Sequence, residues 1–142
     1  MNIKYKAGFK YQLAETAIFQ TAIYPNVSID TEYIRLTVNG KLTILKGYAW
    51  DGPSGPTFDT KTFMRGSLVH DALYQLIRLK KLSGIHHRKQ ADNLLRILCL
   101  KDGMTKVRAW WVYKALRIVG SGAAKSSHVK AILIAPNSKM EK

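Results

Sequence analysis

The stretch Gly47-Tyr-Ala-Trp-Asp-Gly-Pro-Ser-Gly-Pro56 separates two halves of the chain with different hydrophobic periods, and so decides the fold. Glycine and proline at this density interrupt both helices and strands. On its N-terminal side apolar residues alternate: Ile34, Leu36 and Val38 flank Arg35 and Thr37, and Leu42 and Ile44 follow Asn39-Gly40. A period of two marks half-buried strands. A two-residue Asn-Gly turn would set Leu42 opposite Thr37 and scramble the faces. A three-residue loop, Asn39-Gly40-Lys41, pairs Val38 with Leu42 and Leu36 with Ile44, and is the predicted connection, with a glycine in the left-handed region. Lys10 to Ile23, rich in Ala, Thr, Ile, Phe and Tyr, reads as further strand up to the break at Pro25-Asn26.

On the C-terminal side the period becomes helical. Thr60 or Thr62 can cap a helix running to about Leu82, with Leu68, Leu73, Leu76 and Ile77 inward and Ser83-Gly84 as its end. A second is predicted from about Arg88 to Leu100 through Ala91, Leu94, Leu95 and Leu98, stopping at Asp102-Gly103. Thr105 caps a third, through Val107, Trp111, Ala115 and Ile118 to Gly120. The expected class is α+β: a small antiparallel sheet over 1–47, a Gly/Pro loop over 48–60 and a three-helix unit over 61–120. Residues 1–122 are expected to form one domain, followed by an extension over 123–142 that carries the short apolar run Ala131 to Ala135.

The chain has 142 residues, the size of one domain, and 46% are hydrophobic, enough for a core. No stretch approaches the ~20 apolar residues of a membrane-spanning helix. The first ten residues lack the apolar run of a secretory signal. A single cysteine, Cys99, excludes an internal disulfide and a cysteine-based zinc site, and a reducing compartment is expected. The net charge of +14 is unevenly placed: residues 1–60 carry six basic and five acidic side chains, residues 61–142 seventeen and four. Such a field draws polyanions: anionic lipid, acidic protein surfaces or nucleic acid.

Within that basic half the four acids are Asp71, Asp92, Asp102 and Glu141. Asp102 belongs to a helix-ending Asp-Gly turn and Glu141 to the terminus. His70 and Tyr74, four apart, share one helix face, with Asp71 about 100° away. Asp92 precedes Leu95 and Cys99 by three and seven, so it borders the buried face of the next helix. If the two helices are antiparallel neighbours, Asp92 reaches His70 and Tyr74. That contact would fix the imidazole tautomer and raise its basicity, as a general base requires. The same trio would serve equally as a buried network holding the helices in register. Asp71 would remain free beside the Gly/Pro loop, whose carbonyls are hard oxygen ligands of the kind calcium takes.

Tyr48 to Gly55, then His70-Asp71-Ala-Leu-Tyr74, then Ala91-Asp92 resembles the calcium-dependent secreted phospholipases A2 and their cysteine-poor relatives in parvovirus capsid proteins. The resemblance covers roughly 48–100 and departs from that family at Asp51, Pro53 and Pro56. It implies that His70 activates a water, that Asp92 and Tyr74 orient it, and that Asp71 binds Ca2+ with loop carbonyls. A second likeness spans most of 45–122. Asp51-Gly52-Pro53-Ser54-Gly55-Pro56, His70 to Tyr74, and Arg88-Lys89-Gln90-Ala91-Asp92 resemble an uncharacterised bacteriophage and prophage family. It implies a phage origin and makes Asp51 a second carboxylate for the metal, with Trp50, Gly52, Ser54 and Gly55 as loop residues around it. Ser54 reads as a turn residue before a nucleophile.

His86-His87 is expected in a loop between helices and Cys99 as a small buried hydrophobe. The third helix mixes aromatics with cations, and Lys106, Arg108, Trp110, Lys114 and Arg117 form the predicted contact with an anionic surface. At least one of its tryptophans is expected in the core. The leading expectation is a phage-encoded, phospholipase A2-like hydrolase at an anionic cell-envelope surface, made in the host cytoplasm and virion-associated. The rival is a non-catalytic tail or head accessory protein with a structural His-Asp-Tyr cluster, which binds acidic partners or DNA. A dedicated nucleic-acid-binding accessory protein ranks below both, since no nucleic-acid motif accompanies the charge.

Overall fold

The computed structural model of the chain describes residues 11–50 and 61–123, with side chains of the second segment described over 62–118. These segments lie in two compact units. In the first, β1 (Tyr11–Gln12) pairs antiparallel with β6 (Ala49–Trp50). β2 (Ala17–Gln20), β3 (Ile29–Asp30), β4 (Ile34–Leu36) and β5 (Lys41–Ile44) form a four-stranded antiparallel sheet in the order β2-β5-β4-β3. Ile34, Leu36, Leu42 and Ile44 are buried while Arg35 and Lys41 face outward, the alternation that the sequence predicts. The strand expected over residues 10–23 is interrupted between β1 and β2.

The β4–β5 hairpin corrects the predicted register. Leu36 pairs with Leu42 and Ile34 with Ile44, so the loop is Val38-Asn39-Gly40, one residue earlier than expected. The Thr37 side chain causes the shift: its Oγ1 accepts from Lys41 N at 3.1 Å while Thr37 N donates to Lys41 O at 3.0 Å. Moving the register by two residues keeps the same side chains inward, and Val38 becomes an exposed turn residue. Gly40 takes φ +85°, and a Cβ there would stand 2.5 Å from the Thr21 carbonyl oxygen, so only glycine fits.

The second unit contains α1 (Lys61–Arg78), α2 (Gly84–Lys101) and α3 (Lys106–Ala123), each of 18 residues. α1 stops four residues before the expected end. Lys80 adopts φ 60°, and Lys81 N and Leu82 N both return to the Leu76 carbonyl, which closes the helix. Ser83 does not terminate α1; it caps α2, accepting from His86 N at 3.4 Å. His86 and His87 consequently sit in the first turn of α2 and not in a loop. Asp102 and Gly103, with φ +100°, end α2, and Thr105 Oγ1 accepts from Arg108 N at 3.3 Å as the cap of α3. α3 continues past the expected stop at Gly120 to Ala123. The expected extension beyond it lies outside the described residues.

Leu68, Leu73, Leu76 and Ile77 of α1 are buried as predicted, and so are Ala91, Leu95 and Leu98 of α2. One apolar cluster joins Phe63, Leu95, Cys99, Met104, Ala109 and Val112 across all three helices. At Gly66 a Cβ would lie 3.0 Å from Cys99 Sγ and 3.1 Å from the Leu95 carbonyl oxygen, so α1 and α2 approach closely there. The face of α3 is the opposite of the expected one. Ala109 and Val112 point inward, whereas both tryptophans are exposed. Among the described residues no helix is long and apolar enough to cross a membrane.

Candidate active site

Asp92 is fully buried, at 0% exposure, on the face of α2 that meets α1. A buried carboxylate must be satisfied by donors or neutralised, and this one is surrounded. His70 Nε2 lies 2.8 Å and the Tyr74 hydroxyl 2.5 Å from Oδ1. Arg117 of α3 donates through Nη1 to Oδ2 at 2.7 Å. Arg88, one turn before Asp92, brings Nη1 to 3.7 Å from Oδ2 and 3.5 Å from the Tyr74 oxygen. The rings of His70 and Tyr74, one helical turn apart, lie 4.1 Å centroid to centroid. His70, Tyr74 and Asp92 therefore meet as the sequence predicts.

An acceptor-only carboxylate on Nε2 fixes the tautomer: His70 carries its proton there and leaves Nδ1 as the basic atom. Nδ1 is 3.9 Å from Asp71 Oδ1. Burial alone would lower the affinity of His70 for a second proton. Hydrogen bonding to Asp71 and Asp92 and their negative charge outweigh burial, so its pKa stands above the usual 6.5. Burial pushes Asp92 upward, but the bonds from His70, Tyr74 and Arg117 win and hold it below 3.8. Burial and the neighbouring Asp92 charge raise the Tyr74 hydroxyl, which stays a proton donor at all working pH values. The arrangement is an imidazole oriented by an ionised carboxylate, with its proton affinity raised by two neighbouring carboxylates; it can act as a general base once pH exceeds its raised pKa.

Asp71 is 30% exposed at its side chain and offers hard oxygens of the kind calcium accepts. Among the described residues no group of three or more His, Cys, Asp or Glu converges on a metal position. The other expected ligands and loop residues, Asp51, Gly52, Ser54 and Gly55, lie outside the described residues. Trp50 belongs to β6 and not to a loop, buried with its ring 5.6 Å from Tyr11 and 6.4 Å from Tyr48. His86 and His87 stand on the surface of α2, where His87 Nδ1 is 2.7 Å from Gln90 Oε1. Burial pushes the Cys99 thiol up to about 11, as expected of a core side chain.

The family described as a protein of unknown function, DUF1353, matches residues 26–116. The chain belongs to the DUF1353 family. The match contains His70, Asp71, Tyr74, Arg88 and Asp92 and ends one residue before Arg117. No curated protein and no solved structure matches the chain.

Arg117 and Arg88 are the site residues whose role the sequence did not assign. Arg117 was expected on an anionic surface with Lys106, Arg108, Trp110 and Lys114, but its guanidinium turns inward to Asp92. Nothing in the local sequence separates it from Arg108 or Lys114, because the choice depends on which face of α3 packs. Arg88 did carry a signal, since an arginine four residues before a buried aspartate lies on its helix face.

Proposed function

We propose that this DUF1353 protein is a phage-encoded hydrolase of the phospholipase A2-like type, acting on ester lipid at an anionic cell-envelope surface and associated with the virion. The carrying observation is the division of labour on one imidazole: Asp92 takes Nε2, so the lone pair of Nδ1 is left to draw a proton from water. Tyr74 and Arg117 keep Asp92 ionised and aimed, and need not move during the reaction. As that proton leaves, the water oxygen bonds to the ester carbonyl carbon; His70 then passes the proton to the departing alcohol oxygen as the ester C–O bond breaks, leaving fatty acid and alcohol. Asp71 would hold a calcium ion, which when bound supplies positive charge to the ester carbonyl oxygen.

The test is fatty-acid release from anionic mixed micelles, with calcium and with chelator, for wild type, His70→Gln and Asp71→Asn. Release that requires calcium, His70 and Asp71 supports the reading. Release undiminished in folded His70→Gln overturns it. The second reading, a non-catalytic virion accessory protein, is favoured by the complete burial of Asp92 and its bonds to the two other helices. It predicts no release by wild type and an unfolding midpoint lowered in His70→Gln.

A further inference from the structure

The outward face of α3 is apolar where a surface helix should be polar. Val107 is 70% exposed, Trp110 47%, Trp111 65% and Ile118 78%. At ~100° per residue these four and Lys114 fall within roughly 100° of arc. Ala109 and Val112, which are buried, occupy the opposite side. Lys106 flanks one edge of the face and Arg108 the other. No acidic residue occurs between Lys106 and Ala123. A contiguous apolar face rimmed by one sign of charge marks an interaction surface.

Charge and side-chain type choose the occupant. A second copy of a chain at +14 would bring two such cationic rims together. Single-stranded nucleic acid needs open aromatic faces on which bases stack. Here the indoles pack edge to face, 5.7 Å apart at 81°, and Lys114 Nζ lies 5.7 Å above the Trp110 ring. Val107 and Ile118 would have no partner on a nucleic acid. Aliphatic groups and indoles together, with lysine and arginine at their edges, match the boundary between acyl chains and anionic headgroups.

We propose that the Val107, Trp110, Trp111 and Ile118 face of α3 is an interfacial anchor that seats the protein on an anionic phospholipid bilayer. It deepens the hydrolase reading, on which it rests for the choice of lipid as partner, by naming the surface that brings ester bonds to the enzyme. Bilayer binding is separable from turnover, so the two ideas fail separately.

The experiment is co-sedimentation of the full chain carrying His70→Gln, with chelator, on vesicles of phosphatidylglycerol and of phosphatidylcholine. The phosphatidylglycerol vesicles are expected to bind at least tenfold more tightly, with affinity falling about fivefold for each of Lys106, Arg108 and Lys114 changed to Gln. Trp111→Ala with Ile118→Ser, both exposed, is expected to weaken binding about tenfold or more at an unchanged unfolding midpoint. Equal binding by that double variant, no binding to phosphatidylglycerol, or a dimer that the double variant abolishes would each overturn the anchor. Cleavage of a soluble short-chain ester by a wild type that binds no vesicle would do so too, and would leave the hydrolase standing. Vesicle binding without any ester cleavage would support the anchor and sink the hydrolase.

Discussion

Arg117 reaches across from the third helix to the one oxygen of Asp92 that His70 and Tyr74 do not use, donating at 2.7 Å. The two oxygens of this carboxylate are thus divided, Oδ1 to α1 and Oδ2 to cations. Removing the carboxylate in Asp92→Ala would leave a buried imidazole, a phenol and a guanidinium without their acceptor. The expected loss is ~3–5 kcal/mol in urea unfolding. Arg117→Gln should cost less, since solvent reaches part of its side chain. A double-mutant cycle with Asp92→Asn should return a coupling of ~1–3 kcal/mol. Additive effects would mean that the 2.7 Å contact carries no energy.

The pH profile of stability follows from the same carboxylate. His70 binds its proton more tightly in the folded protein than in the unfolded chain, where the value is 6.5. Its stabilisation is therefore complete below that value and is lost as pH rises through the higher native one. Asp92 behaves in the opposite sense: its contribution is present above 3.8 and is lost as pH falls through the lower native value. Urea midpoints should be greatest between these limits and decline on both sides. In His70→Gln the alkaline decline should flatten; if it persists unchanged, another group causes it. If the protein is the proposed hydrolase, ester cleavage requires neutral His70 and should rise across the alkaline limb on which stability falls.

Gly66→Ala sets helix propensity against packing. Alanine favours an α-helix by ~1 kcal/mol over glycine. Here its methyl would press on Cys99 Sγ at 3.0 Å and the Leu95 carbonyl at 3.1 Å. Cys99 is fully buried and the carbonyl belongs to the α2 backbone, so neither can yield cheaply. The clash, ~1–3 kcal/mol for overpacking, should win. Since Gly66 is one turn from His70, cleavage should drop more than stability. A variant as stable and as active as wild type would show that the helices can part there freely.

Lys80 offers the reverse case. Its φ of 60° puts a side chain in the left-handed region, which costs ~1–2 kcal/mol for a residue with a Cβ. Lys80→Gly removes that strain and gives back some of it as unfolded-chain entropy. A rise in stability of up to ~1 kcal/mol is expected in urea unfolding, and a fall would show that the Lys80 side chain contributes more than its strain.

What the sequence made legible was governed by short-range spacing. His70 and Tyr74 share a face by a fixed helical interval, and acids are so few in the basic half that Asp92 stood out. The inward faces of α1 and α2 followed from runs of leucine. α3 misled because size and hydrophobicity argue for tryptophan inside, whereas this helix packs through Ala109 and Val112. Once the face was reversed, Arg117 turned from a surface cation into a partner of Asp92. The hairpin slipped by two residues because a threonine side chain bonded the backbone, an effect that alternation cannot report. α1 ended early at Arg78 because Lys80 takes the left-handed position that usually falls to glycine, and a lysine there gives no sign of it.

The anchoring of three helices on one carboxylate has a consequence for how the unit opens. α1 cannot fray away from α2 without stripping His70 and Tyr74 from Asp92, and α3 cannot lift without taking Arg117. Each departure leaves the same buried charge short of donors, so partial opening is penalised wherever it starts. The helices are thereby made cooperative by their polar centre as well as by their apolar cluster. A loosened α3 therefore leaves Asp92 held by His70 and Tyr74 alone, with Arg88 at 3.7 Å, so the polar centre registers the departure of any one helix.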